Sequence, residues 1–355
     1  MQITHSWINF IPLPTRFNKN PLLIMQTLQA KSNTIPSLFF IKAICAFLVV
    51  IIHTDLPWKE YINPFLRIAV PIFFMISGYF TYTTTRKATE KKIIKYLKKI
   101  LWITLYANFI YYFVALSISL VNHTEFTINI TSIKFWFRFT FYGDNISGIL
   151  WYLTAYLWTL LTYLFFFKID RLSYILILSP GLIIINILNQ FIFSIDIPSF
   201  ILTGIPSVSI GYCIHKYLDT IKSYFSPSSA STSLFLCSFV AICEALILHL
   251  YQLNGIVIYI MTFPLATSCI IWCLLHPNFA GGGIWETIGR KYSLNIYLFH
   301  IIAYLLVNQI LKIFTRGNIS EFTPYSALYA LPASLLLAII LDKIKRRTIC
   351  IIPNN

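Results

Sequence analysis

Long uncharged apolar runs constrain this chain most, among them residues 100–121, 173–193 and 255–275. Each approaches the ~20 residues that a helix needs to cross the hydrocarbon core of a bilayer. Lipid cannot satisfy a free backbone N–H or C=O, so such segments fold as helices. There are too many runs for a single anchor. Of the 355 residues, 57% are hydrophobic and 11% charged, whereas a water-soluble domain carries about a quarter charged residues. The sequence predicts an all-α, polytopic integral membrane protein.

Hydropathy places ten spans, at 37–54, 67–85, 100–121, 148–167, 172–193, 199–214, 233–252, 255–275, 293–313 and 325–342. With a cytoplasmic N-terminus, only Lys59, Arg67, Lys134, Arg138, Lys312 and Arg316 of the 27 Lys and Arg fall in outer segments. That is a strong positive-inside bias, and it puts both termini in the cytoplasm. The net charge of +15 is therefore mostly a topology signal, and no nucleic-acid partner is expected. Residues 1–36 read as a cytoplasmic leader, 37–342 as the membrane domain and 343–355 as a basic cytoplasmic tail. The leader contains Pro12, Pro14 and Pro21 and lacks the apolar core of a signal peptide; Met25 is a second candidate start. Seven cysteines without a CxxC pair suggest neither a disulfide framework nor a zinc site. No metal and no resident cofactor are expected.

The outer loop 122–147 carries Lys134, Trp136 and Arg138 in an aromatic stretch suited to the membrane interface. The inner segment 86–99, RKATEKKIIKYLKK, puts a dense basic run before the third span, where it anchors topology and meets anionic lipid. The sixth span is short and interrupted by Gly204 and Pro206. Such a segment is tolerated where protein covers it or where it lines a cavity.

Two ionisable residues, Lys42 and His53, lie in the first span, and intramembrane ionisable groups are functional candidates by default. Eleven positions make about three helical turns with roughly 20° left over, so both side chains share a face about 16 Å apart along the axis. Cys45, Ala46 and Val49 lie between them and are small enough to leave a slot. The plainer reading is a snorkelling Lys and an interfacial His, each at a span end. In the second span, Phe73 and Ser77 are one turn apart, as are Phe74 and Gly78. The glycine permits close helix contact and the hydroxyl can bond across helices.

Together these segments resemble the membrane-bound acyltransferase-3 family, whose hallmark is a basic residue, ten residues and a His in the first span. A Phe-Phe-x-x-Ser-Gly-aromatic motif follows in the second. Lys42, His53, Phe73, Phe74, Ser77, Gly78 and Tyr79 match in order. Leu150-Trp151-Tyr152-Leu153 resembles the family's central span, and the stretch through Ser293, Tyr297 and His300 its late one. The resemblance covers about residues 37–342. It departs at Lys42, where Arg is common, which turns a bidentate grip into a point-charge contact, and at the third span, which Lys95, Lys98 and Lys99 enter without a Pro.

The resemblance implies transfer of an acyl group, usually acetyl, from cytoplasmic acyl-coenzyme A as co-substrate to a hydroxyl of a carbohydrate or lipid-linked glycan. His53 would be the general base. Lys42, Lys95, Lys98 and Lys99 would meet the polyanionic donor, with the thioester arm beside Cys45, Ala46 and Val49. Ser77, Tyr79, Trp151, Ser293, Tyr297 and His300 would line the cavity and hold the acceptor. The alternative is a glycan or lipid transporter without chemistry. Transporters more often show several intramembrane carboxylates, whereas here Glu244 stands almost alone and without an evident partner. The bias toward Ile, Asn and Lys fits an AT-rich bacterium, and so a bacterial cell membrane.

Overall fold

The computed structural model describes residues 35–351 apart from 127, 254 and 318. The leader up to residue 34 and the end of the tail, 352–355, lie outside the described residues. The described chain is helical, with no strand among the described residues. In chain order the helices are α1 (Pro36–Ile52), α2 (Lys59–Arg67), α3 (Ala69–Thr81), α4 (Arg86–Asn122), α5 (Ile133–Phe141), α6 (Trp151–Lys168) and α7 (Leu172–Leu188). Then follow α8 (Ile205–Lys216), α9 (Leu218–Tyr224), α10 (Pro227–Leu250), α11 (Thr262–Leu275), α12 (Ile284–Thr287), α13 (Ser293–Phe314) and α14 (Ser326–Ile351).

Among the described residues, six helical stretches are long and apolar enough to cross a membrane: Lys59–Thr81, Arg86–Val121, Leu172–Phe193, Pro227–Leu250, Ile284–Phe314 and Thr323–Lys345. α1 and α11 are apolar but shorter. Helix also occupies the segments of the fourth and sixth predicted spans, as α6 and α8. Large apolar side chains such as Trp102, Tyr106, Phe109, Phe235 and Phe239 are exposed along the outside of α4 and α10. So broad an apolar surface suits lipid rather than water.

Boundaries differ from expectation where local chemistry intervenes. The second span begins at Lys59 rather than 67, because α2 and α3 run on with only Ile68 between them. It ends at Thr81 rather than 85, where Thr83 Oγ1 bonds Thr85 O (3.0 Å) and Thr89 Oγ1 (2.7 Å). Threonine hydroxyls that bond nearby backbone compete with the helix ladder. At the other end of the chain, α14 runs through to Ile351, past the expected boundary at 342.

Small residues set the closest crossings. A Cβ at Gly78 of α3 would lie 2.1 Å from Val208 O of α8, and one at Gly211 of α8 would lie 1.9 Å from Met75 O of α3. The two backbones meet glycine to carbonyl in both directions. Gly289 meets Phe39 O of α1 in the same way, at 1.7 Å. Around α1 the core is alanine-rich: Ala43, Ala46, Ala330 and Ala338 pack with Val50, Ile288 and Ile296. α8, the interrupted span, is largely buried, as such a segment requires.

The bundle has two chemically distinct ends. At one, the start of α1 bonds the end of α11 (Ser37 Oγ to Cys273 O, 2.6 Å), Arg86 reaches Phe167 O and Asp170, and Lys92 bonds Phe80 O (3.0 Å). This is the basic end. At the other, the chain after α1 meets the start of α14, and Asn63 of α2 bonds Tyr259 OH (2.9 Å).

Candidate functional site

His53 is the first residue beyond α1, and its N–H still bonds Val50 O (3.1 Å). Three contacts hold the backbone around it. Lys59 Nζ donates to the carbonyls of Ile52 (2.8 Å) and Thr54 (2.7 Å), a cation at a helix C-terminus where unpaired carbonyls need donors. Thr54 Oγ1 bonds Val50 O (2.9 Å). Asp55 engages α14 through its main chain, its N–H donating to Ser326 Oγ (2.7 Å) and its carbonyl accepting from Ala327 N (3.0 Å). Asp55 thus anchors the turn through its backbone rather than serving the imidazole.

The imidazole borders a cavity of about 570 Å³ at the end of the bundle opposite the basic run. Val49 and Ile52 share that wall, Arg67 and Pro71 come from the α2–α3 stretch, Trp151 and Tyr152 from α6, and Tyr297 from α13. The far side is polar, with Asn186, Asn189, Gln190, Asp196, Ser199 and Thr203 from α7 to the approach of α8, and Asp144 from the loop before α6.

That polar wall is cross-braced. Arg138 of the exposed aromatic helix α5 forms ion pairs with Asp144 and, at 3.1 Å, with Asp196. Both carboxylates hold its guanidinium firmly in the charged state, Asp144 foremost. Tyr142 OH bonds Asp196 O (2.9 Å), Asn189 exchanges two bonds with Ile195, and Gln190 Oε1 accepts from Val257 N (3.1 Å). These bonds tie the segments around the cavity to one another.

His300 of α13 is fully buried, its ring centroid 5.3 Å from that of His53. Nδ1 lies 2.8 Å from Tyr297 O, so Nδ1 carries the proton and donates. Nε2 is left as a buried acceptor with no partner. Tyr297 OH bonds Ile149 O, and its ring meets Tyr152 edge-on at 5.2 Å, which ties α13 to α6 behind the site.

The residues singled out in the sequence divide between the two ends. His53, Trp151 and Tyr297 border the cavity, and His300 stands directly behind it. Ser77, Tyr79 and Ser293 do not border it. Ser77 bonds Tyr156 OH, Tyr79 stacks on His215 at 4.3 Å, and Ser293 Oγ donates to Gly289 O (2.7 Å). All three lie nearer the basic end; Ser77 and Tyr79 join neighbouring helices, whereas Ser293 bonds back one turn within its own helical stretch. The expected slot along α1 is packed: Cys45 and Ala46 are fully buried, and of the stripe only Val49 reaches the cavity. Lys42 Nζ lies 5.9 Å over the Phe39 ring, with Arg290 at 4.5 Å from the same ring and Lys99 within electrostatic reach. Lys95, Lys98 and Lys99 are exposed on α4. The Lys42 and lysine-run group is thus a second locus, apart from His53.

Glu244 finds the partners that sequence does not name. Its oxygens accept Ile260 N (2.6 Å) and Met261 N (3.0 Å), capping α11. A carboxylate so engaged is unsuited to ion coupling. Sequence reasoning passed over Arg67, Asp144, Asp196 and the amides of 186–190 as a site. The polar cluster Asn186, Asn189 and Gln190 at the end of an apolar run was the available signal.

A helical bundle with broad exposed apolar faces, an imidazole beside a polar cavity at one end and lysines at the other defines an integral membrane protein. The acyltransferase-domain model of the acyltransferase-3 family matches residues 35–343. The chain belongs to that family and is a membrane acyltransferase. No curated protein and no solved structure matches it.

Proposed function

We propose that this acyltransferase moves an acyl group, acetyl in the first instance, from acyl-coenzyme A to a hydroxyl of a carbohydrate or lipid-linked glycan. The observation that carries the reading is the cavity beside His53, whose amides, carboxylates and aromatic faces suit a polyhydroxylated acceptor. The donor's phosphates gather at the basic end, at Lys42, Lys95, Lys98 and Lys99. The positive-inside bias makes that end cytoplasmic in a ten-crossing topology with both termini inside, in a bacterial cell membrane.

In the reaction the acceptor oxygen attacks the thioester carbonyl while His53 takes the hydroxyl proton. The C–S bond breaks as the C–O bond forms, and the coenzyme thiolate recovers a proton on leaving. Positioned proton transfer of this kind contributes about 10²–10⁴-fold. His300 is a positioning residue: its buried ring lies 5.3 Å from that of His53 and packs the base in place.

The test follows free thiol as purified protein meets acetyl-coenzyme A and candidate glycans. Acceptor-dependent thiol release is expected, falling about 10²–10⁴-fold in His53→Ala with the fold intact. An unchanged rate in that variant removes His53 from the mechanism. Glycan movement across a membrane without thiol release would make the protein a transporter.

A further inference from the structure

The cavity is bordered by a cation that no carboxylate among the described residues pairs with. Arg67 ends α2 and borders the same cavity as His53. Its Nε is buried without a hydrogen-bond partner, and none of the ion pairs among the described residues involves it. The contrast with Arg138 is direct. Arg138, at the cavity's far side, is matched by two carboxylates, Asp144 and Asp196, and those are the acidic residues of the cavity wall. The neighbouring Tyr259 is an uncharged phenol and already accepts from Asn63. A partly buried guanidinium without a counter-charge is costly. Within a membrane protein an ionisable group of this kind is a functional-site candidate by default.

We propose that Arg67 is an anion subsite of the acceptor cavity, so that the acceptor is a glycan bearing a carboxylate or phosphate near the hydroxyl that reacts. The planar fork of a guanidinium matches both groups and a point charge does not. The anionic group sits on Arg67, the neutral part of the glycan lies across Trp151 and the amide wall, and one hydroxyl is thereby presented to His53. This assignment rests on the acceptor reading of the cavity, but its test does not require turnover.

Binding of D-glucuronate, glucose 1-phosphate and uncharged glucose to the detergent-solubilised full chain is measured by calorimetry. Wild-type protein is expected to bind one or both anionic sugars about tenfold more tightly than glucose. Glucuronate alone points to a uronic-acid acceptor, and glucose 1-phosphate alone to a phosphate-linked one. Arg67→Gln is expected to abolish the preference, Arg67→Lys to keep part of it, and His53→Ala to keep all of it. Equal binding of charged and uncharged sugars by wild type, or a preference that survives Arg67→Gln, overturns the subsite. Should Arg67→Gln fail to fold, the wild-type preference and its weakening in Arg67→Lys decide the matter. Anion preference without thiol release from any acyl-coenzyme A would leave the subsite standing and sink the transferase chemistry, so the two failures are distinguishable.

Discussion

His53 lies where a helix ends, and a reactive group there is only as well placed as the turn that carries it. Lys59 supplies that turn with two donors, so Lys59→Met is expected to lower kcat severalfold, since small displacements of a positioned base are costly. Its stability loss should be near 1 kcal/mol, given the partial exposure of the lysine; an unchanged kcat with a lowered melting temperature would leave Lys59 a purely structural cap. His300 acts one step back. His300→Ala should reduce kcat while leaving acceptor affinity unchanged, and a smaller drop than that of His53→Ala is expected because the base itself remains. A change confined to KM would instead place His300 in acceptor binding.

Between helices, glycine matters at positions where the sequence alone shows only a small residue. Gly78→Ala and Gly211→Ala each drive a methyl into a facing carbonyl, and each should destabilise by about 1–3 kcal/mol, read as lower melting temperature and lower yield of folded protein. Gly181 of α7 meets nothing within 4 Å, so Gly181→Ala should be neutral or stabilising by up to about 1 kcal/mol. Equal effects at all three sites would contradict the close crossing of α3 and α8. Glu244→Gln removes the charge that caps α11 and should cost about 1 kcal/mol. Acyl transfer should persist in that variant; its complete loss in a folded protein would restore an active role for Glu244.

Across the whole molecule the charges separate into a basic end and a cavity end. If the lysine run gathers the donor, replacing Lys95, Lys98 and Lys99 together by Gln should raise KM for acyl-coenzyme A and flatten its dependence on salt, with kcat little changed. Exposed charges act over roughly 8–10 Å and are screened beyond that, so a KM that ignores both salt and the substitution would free these lysines from donor binding. The apolar runs, the positive-inside bias and the spacing of Lys42 and His53 are local along the chain, which is why sequence alone was enough for an all-helical membrane bundle, a basic residue on α1 and an imidazole at its end. The partners of that imidazole were not legible. Ser293, Tyr297 and His300 share a helical face, but α13 crosses the bundle lengthwise, so one face visits both ends and only Tyr297 and His300 come near His53. Arg67 counted merely as one more outer charge, and Glu244 as an unexplained carboxylate, because the pairing of Arg138 with Asp196 and the bonds from Ile260 and Met261 to Glu244 join separate elements. Helical periodicity says which way a side chain points from its own axis; which cavity it borders, and whether its charge is answered there, depends on how separate helices dock, and that was decided by tertiary packing.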